Sequence, residues 1–90
     1  MPDRKIRWDE DCDRAAEMLG GYEVIDESLD AYFDALCRDP SGFPRVKCAW
    51  GSVRYIRTKQ MGDIPELTWY FILEGDGDVT MTYVERYDPT

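Results

Sequence analysis

The sequence predicts an α+β domain in which two N-terminal helices pack on one face of an antiparallel sheet of three to four strands. Three observations carry this expectation. Apolar residues before Asp39 recur with the 3.6-residue period of a helix, whereas from Pro44 onward they recur every second residue, as in strands. Glycine and proline fall at the joints, at 20–21, 40–44, 51, 62–65 and 75–77. The chain has 90 residues, 43% of them hydrophobic, enough for one modest core and no second domain. Residues 1–90 are therefore one domain, with a possible edge strand or arm at 1–8, two helices in 9–39 and the sheet in 45–87.

Each element has a local reason. Residues 4–8, RKIRW, form a short edge strand or an unpaired arm, and the alternation of Ile6 and Trp8 favours the strand. Asp9 to Asp13 place acids where a helix N-terminus wants them; Ala15, Ala16, Met18 and Leu19 continue that helix, and Gly20-Gly21 stops it. A second helix follows Asp26 as N-cap, with Leu29, Tyr32, Phe33, Leu36 and Cys37 on its docking face. Asp39-Pro40-Ser41-Gly42 ends it, because the residue before a proline leaves the helical region.

Val46, Cys48 and Trp50 alternate as a strand, and Gly51-Ser52 links it to a second one, Val53 to Thr58. Met61 to Pro65 is a loop. Leu67 to Leu73 is apolar in both phases, the pattern of a central strand covered on both faces. Glu74-Gly75-Asp76-Gly77-Asp78 is a hairpin turn, without the spacing or terminal glutamate of a calcium loop. In the last strand, Val79 to Tyr87, strict alternation puts Val79, Met81, Tyr83, Glu85 and Tyr87 toward the helices and Thr80, Thr82, Val84 and Arg86 on the opposite face. In Val53 to Thr58 the same rule sends Arg54 and Arg57 to opposite faces, so that one is open to solvent or ligand and the other finds a carboxylate.

Absences exclude chemistry. There is no histidine, which removes imidazole triads and His-ligated zinc. Cys12, Cys37 and Cys48 are widely spaced without a CxxC pair and are expected to be reduced packing residues. No metal and no cofactor is expected. The opening MPDRKIRWDEDCD has charge but no apolar stretch, and no run is long enough to span a bilayer, so a soluble cytoplasmic protein is expected.

The net charge of −8 is unevenly spread. Residues 45–59 hold Arg45, Lys47, Arg54, Arg57 and Lys59 and no acid, whereas 9–39 and 60–90 are strongly acidic. Long-range repulsion of phosphate follows from the total, but the strip can still bind an acidic partner on contact. The plainer alternative is that its cations pair with neighbouring carboxylates.

The helix ending in Leu36 and Pro40, then Gly51-Ser52-Val53-Arg54-Tyr55-Ile56-Arg57, Trp69-Tyr70-Phe71-Ile72-Leu73, a glycine-bearing turn and a last strand ending Glu85-Arg86-Tyr87 together resemble the RelE/ParE toxin superfamily over most of the chain. The resemblance implies a toxin–antitoxin component whose surface is built from basic residues of the middle strands and an arginine and tyrosine near the C-terminus. Its members cut messenger RNA on the ribosome or poison DNA gyrase. Unlike them, this chain is acidic, has Thr68-Trp69 where a second arginine precedes the aromatic run, and has no histidine.

Cleavage of RNA by 2′-OH attack needs a base, an acid and cations for the phosphorane. On this reading Arg54 or Arg57 stabilises charge, Lys59 is a cation or acid, Tyr87 is an acid or stacking group, and Glu85 is a base if its strand turns it away from the core. Arg45, Lys47 and Arg86 would bind. The ordinary alternative is that Tyr87 packs, Glu85 pairs with an arginine and Lys59 is merely solvated.

Two functions stand. One is a RelE/ParE-like toxin, of the kind that acts as a ribosome-dependent mRNA endonuclease, held by an acidic antitoxin-like partner over the 45–59 strip, with RNA or the ribosome as target. The other is a non-catalytic interaction module that kept the fold and lost the site. Convergence of Arg54, Lys59, Arg86 and Tyr87 in one concavity would separate them. A homodimer is a further expectation, because Trp8 or Trp50 would need cover in so small a domain.

Overall fold

A computed structural model describes residues 5–46 and 53–88 of the chain. The element order is β1 (Ile6–Trp8), α1 (Glu10–Met18), α2 (Tyr22–Arg38), a 3-10 turn (Pro40–Gly42), β2 (Val53–Thr58), β3 (Leu67–Leu73) and β4 (Val79–Arg86). The strands form one sheet in the order β1-β4-β3-β2. It is an α+β fold, with the three C-terminal strands in the expected antiparallel meander. The sheet as a whole is mixed, because β1 lies parallel to β4, with Ile6 opposite Val79 and Trp8 opposite Met81. Parallel neighbours need a long crossover, and here the two helices and two intervening strands supply it. Lys5 N–H donates to Asp78 Oδ1 at 3.1 Å and the Arg7 guanidinium lies 3.2 Å from Asp78 Oδ2, so the acidic hairpin turn anchors β1.

Gly20 and Gly21 join the helices in a way only glycine permits. With φ of 107° and 95°, both occupy backbone space that side chains rarely enter. Gly21 N–H donates to Ala16 O at 2.9 Å and Gly20 N–H to Glu17 O at 3.1 Å, the paired bonds that close a helix C-terminus. Gly21 then caps α2, its carbonyl accepting from Val24 N–H. The second helix therefore starts at Tyr22, one turn before the expected Asp26 cap, and its buried face runs through Ile25, Ser28, Leu29 and Leu36. Phe33, expected on that face, is 36% exposed at its margin.

The core lies between the helices and one side of the sheet. Cys12, Ala15, Ala16, Ile25, Leu29 and Leu36 meet Ile56, Leu67, Trp69, Phe71, Val79, Met81 and Val84, with Ile64 closing one end. The strand pattern departs from simple alternation at one point. Tyr70 pairs with Tyr83 but Phe71 with Met81, leaving Thr82 as an extra residue in β4, a β-bulge. Val79 and Met81 face the helices as expected. Beyond the bulge the phase inverts: Val84 is 1% exposed in the core and Tyr83 46% exposed on the other side. The expected placement of Tyr83, Glu85 and Tyr87 against the helices is thereby corrected.

Helices cover one side of β3 rather than two; on its other side Tyr70 and Ile72 are half-buried among the neighbouring strands. The expected strand from Val46 to Trp50 falls largely on residues 47–52, outside those described. Its first part does pair with β2, with Val46 N–H donating to Val53 O at 2.8 Å and Tyr55 N–H to Pro44 O at 3.1 Å. Among the described residues no helix is long and apolar enough to cross a membrane.

Phe71→Ala should cost about 3–5 kcal/mol in urea unfolding, as for other buried aromatic truncations. Deleting Thr82 should cost less than Phe71→Ala and keep the transition cooperative. It removes the extra residue and lets plain alternation hold Met81 and Val84 toward the helices, with Tyr83 and Glu85 on the other side. Loss of cooperative unfolding would show that the bulge itself is required.

Candidate functional site

The helix-free side of the sheet collects the distinctive side chains. Pairing across β2, β3 and β4 places Tyr55, Tyr70 and Tyr83 side by side, and Arg57, Thr68 and Glu85 in the next row toward the strand ends. Tyr70 and Tyr83 have ring centroids 6.1 Å apart and are tilted by 35°. The Arg57 guanidinium carbon sits 4.0 Å from the Tyr87 ring centroid and 5.2 Å from that of Tyr55, so its planar cation lies on aromatic faces. Tyr87 is held in place by its backbone N–H, which donates to Glu66 O at 2.9 Å. Thr68, in the middle of its row, is buried.

Glu85 accepts a hydrogen bond from the Tyr70 hydroxyl at 3.2 Å. Burial, followed by the charge of Glu85 and that hydrogen bond, holds the Tyr70 phenol protonated above its ordinary range. The surface thus offers ring faces and hydroxyls in a row, one outward arginine fork and one carboxylate.

Arg54 belongs to the other side of the sheet. One guanidinium nitrogen donates to Phe43 O at 2.7 Å and Ser41 O at 3.2 Å, tying β2 to the turn that ends α2. Its Nε is buried with no hydrogen-bond partner among the described residues. The pleat separates Arg54 from Arg57, and the local partner that Arg54 finds is a pair of backbone carbonyls rather than a carboxylate. Arg45 is exposed and bridges Arg54 across the strands. Arg86 pairs with Leu67, hence on the helix side, and is exposed. Lys59 is exposed just past β2. Lys47 lies outside the described residues.

Of the residues expected to act together, Arg57, Glu85 and Tyr87 are brought to one place. Arg54 and Arg86 are not, so Arg54, Lys59, Arg86 and Tyr87 form no common concavity. Sequence reasoning missed the tyrosine row. Tyr55 and Tyr70 share a phase with Arg57 and Thr68 and were findable by alternation; Tyr83 was not, because the bulge moves it.

Among the described residues no group of three or more metal-ligating side chains is assembled. Cys12 is wholly buried, and burial pushes its thiol up and away from nucleophilic character. No family model, curated protein or solved structure matches this chain.

Arg54→Met should destabilise by about 1.5–3 kcal/mol, the usual value for charged hydrogen bonds to backbone, whereas Arg57→Ala should cost about 1 kcal/mol or less in the same urea titration. The Tyr70 phenol ionises later in the folded chain than in the unfolded one. Its contribution is therefore constant below about pH 10 and falls as pH rises further, because the unfolded chain ionises first. Tyr70→Phe should lessen the alkaline loss in unfolding curves taken between pH 9 and about 11, the remainder being carried by Tyr22, whose phenol burial also holds protonated.

Proposed function

We propose that this chain is a non-catalytic binding module that docks a partner protein on the open face of its sheet. The observation that carries the reading is the Tyr55–Tyr70–Tyr83 row with Arg57 laid between Tyr55 and Tyr87, on the side that the helices leave uncovered. Tyrosine gives large contact area at low entropy cost, and tyrosine and arginine are over-represented where interfaces concentrate their energy. The partner would present apolar surface to the tyrosine row and a carboxylate or backbone carbonyl to the Arg57 fork. Bases could also stack on such rings, but the net charge of −8 opposes phosphate, and Arg54 and Arg86 point to the other side.

A RelE/ParE-like toxin is the second reading, supported by the grouping of Arg57, Glu85 and Tyr87. There Glu85 would take the 2′-OH proton, Arg57 would meet the phosphorane charge and Tyr87 would protonate the leaving oxygen.

The experiment compares wild type, Arg57→Ala/Tyr83→Ala and Glu85→Gln at equal soluble level in a bacterial host. Growth should be unaffected by all three. Quantitative cross-linking should retain a protein with wild type that the double variant loses, and the purified pair should reproduce the difference. Identical capture by both would overturn the docking reading. Growth arrest by wild type, relieved by Glu85→Gln, would establish the toxin instead. A concentration-dependent dimer in sedimentation, abolished by the double variant, would make a second copy the partner.

A further inference from the structure

A second feature lies at the opposite side of the molecule, where the end of β1 meets both helices. Trp8 and Tyr22 stand edge to face, with centroids 5.1 Å apart and planes at 72°, so their faces form the two walls of a corner. Trp8 is backed by Trp69 at 6.4 Å, again near perpendicular, yet remains 39% exposed. Asp13 and Asp26 complete the corner, and the four side chains line an open groove of about 410 Å³. That volume lies within the roughly 300–1,000 Å³ of small-molecule sites.

Each part is fixed by the fold. Tyr22 and Asp26 are one turn apart on α2 and share a helix face. The Tyr22 hydroxyl donates to Asp13 Oδ1 at 2.7 Å, locking the ring and holding the carboxylate beside it. Asp9 N–H donates to Met81 O at 2.9 Å, which secures the chain immediately after Trp8. No cationic side chain is among the described lining; of the two arginines next to it in sequence, Arg7 pairs with Asp78 at 3.2 Å and Arg14 leans on Glu10 and Asp11 at 3.8 Å. Two ring faces at a steep angle with two carboxylates in the same lining are suited to an alkylated ammonium. The rings attract the charge through their quadrupoles and accept its methyl groups, while the carboxylates neutralise it. A bare ammonium or metal ion would lose hydration against the rings without recovering it.

We propose that this corner is a binding site for a quaternary or alkylated ammonium group, with Trp8 and Tyr22 as its walls and Asp13 and Asp26 as its counter-charges. The site is independent of the tyrosine face, which lies on the other side of the sheet.

The test is an NMR titration of the full chain at low ionic strength, following the Trp8 indole N–H, identified by its loss in Trp8→Phe. Tetramethylammonium, choline and N-acetyl-trimethyllysine amide are added in turn. The neutral choline isostere 3,3-dimethylbutan-1-ol is the control. Saturable shifts of Trp8 and of the Tyr22 and Asp26 amides are expected with the cations and not with the alcohol. Asp26→Asn, an exposed change that should not disturb folding, should weaken binding about three- to fivefold. Asp13→Asn, which keeps an acceptor for Tyr22, should do likewise. Tighter binding of choline or of the lysine derivative would tell a free small molecule from a modified side chain. An unmoved Trp8 signal in folded protein, equal binding of the alcohol, or indifference to both asparagine variants would each overturn the proposal.

Discussion

The placement of Thr82 as an extra residue in β4 governs what each side of the sheet carries. Before it, Val79 and Met81 point toward the helices; after it, Val84 does. Had the strand continued in phase, Tyr83 and Glu85 would have needed space in a core already filled by Trp69, Phe71 and the helix residues. A carboxylate there would have been desolvated without a partner, at a cost of several kcal/mol. The bulge resolves that conflict locally, and it also brings Glu85 within reach of the Tyr70 hydroxyl and puts Tyr83 beside Tyr70. One inserted residue thus satisfies the core and assembles the candidate site.

The same pleat sorts the basic residues. Arg54 and Arg57 are three apart, so they project to opposite sides, and their environments differ in kind. Arg54 is held through one nitrogen by two carbonyls of the turn after α2, a structural contact that fixes how β2 meets the helical layer. Arg57 is left on the outer side, stacked on tyrosine rings with its donors still able to meet another molecule. A concentration of positive charge along the sequence therefore does not become a concentration of positive charge in space.

At the other edge, two adjacent glycines let the chain end one helix and begin the next without an intervening loop. This sets Tyr22 at the first position of α2, directly against Trp8 and Asp13. The corner between β1 and the helices is a consequence of that tight joint. A longer connection would have moved Tyr22 away from the strand. Reading Asp26 as the helix cap hid the one-turn spacing of Tyr22 and Asp26, and with it the groove.

The amino-acid sequence by itself determined the class of the fold and most of its elements. Helical periodicity up to Arg38, alternation from Val53 onward and the turn residues at 62–65 and 75–77 are local properties, and strands β2 and β3 fall where alternation puts them. It also determined that Arg54 and Arg57 part company, because the pleat is fixed by backbone geometry. Three things were decided only in the tertiary structure. The parallel pairing of β1 depends on contacts with a turn some seventy residues away, at Asp78. The phase of β4 after Thr82 depends on what Trp69 and Tyr70 require across the strand, since a bulge exchanges one hydrogen-bonding register for better burial. The grouping of Arg57 with Tyr87, and of Trp8 with Tyr22, depends on how elements are laid side by side. Local periodicity carries no information about neighbours distant in the chain, and each of these features is a relation between such neighbours.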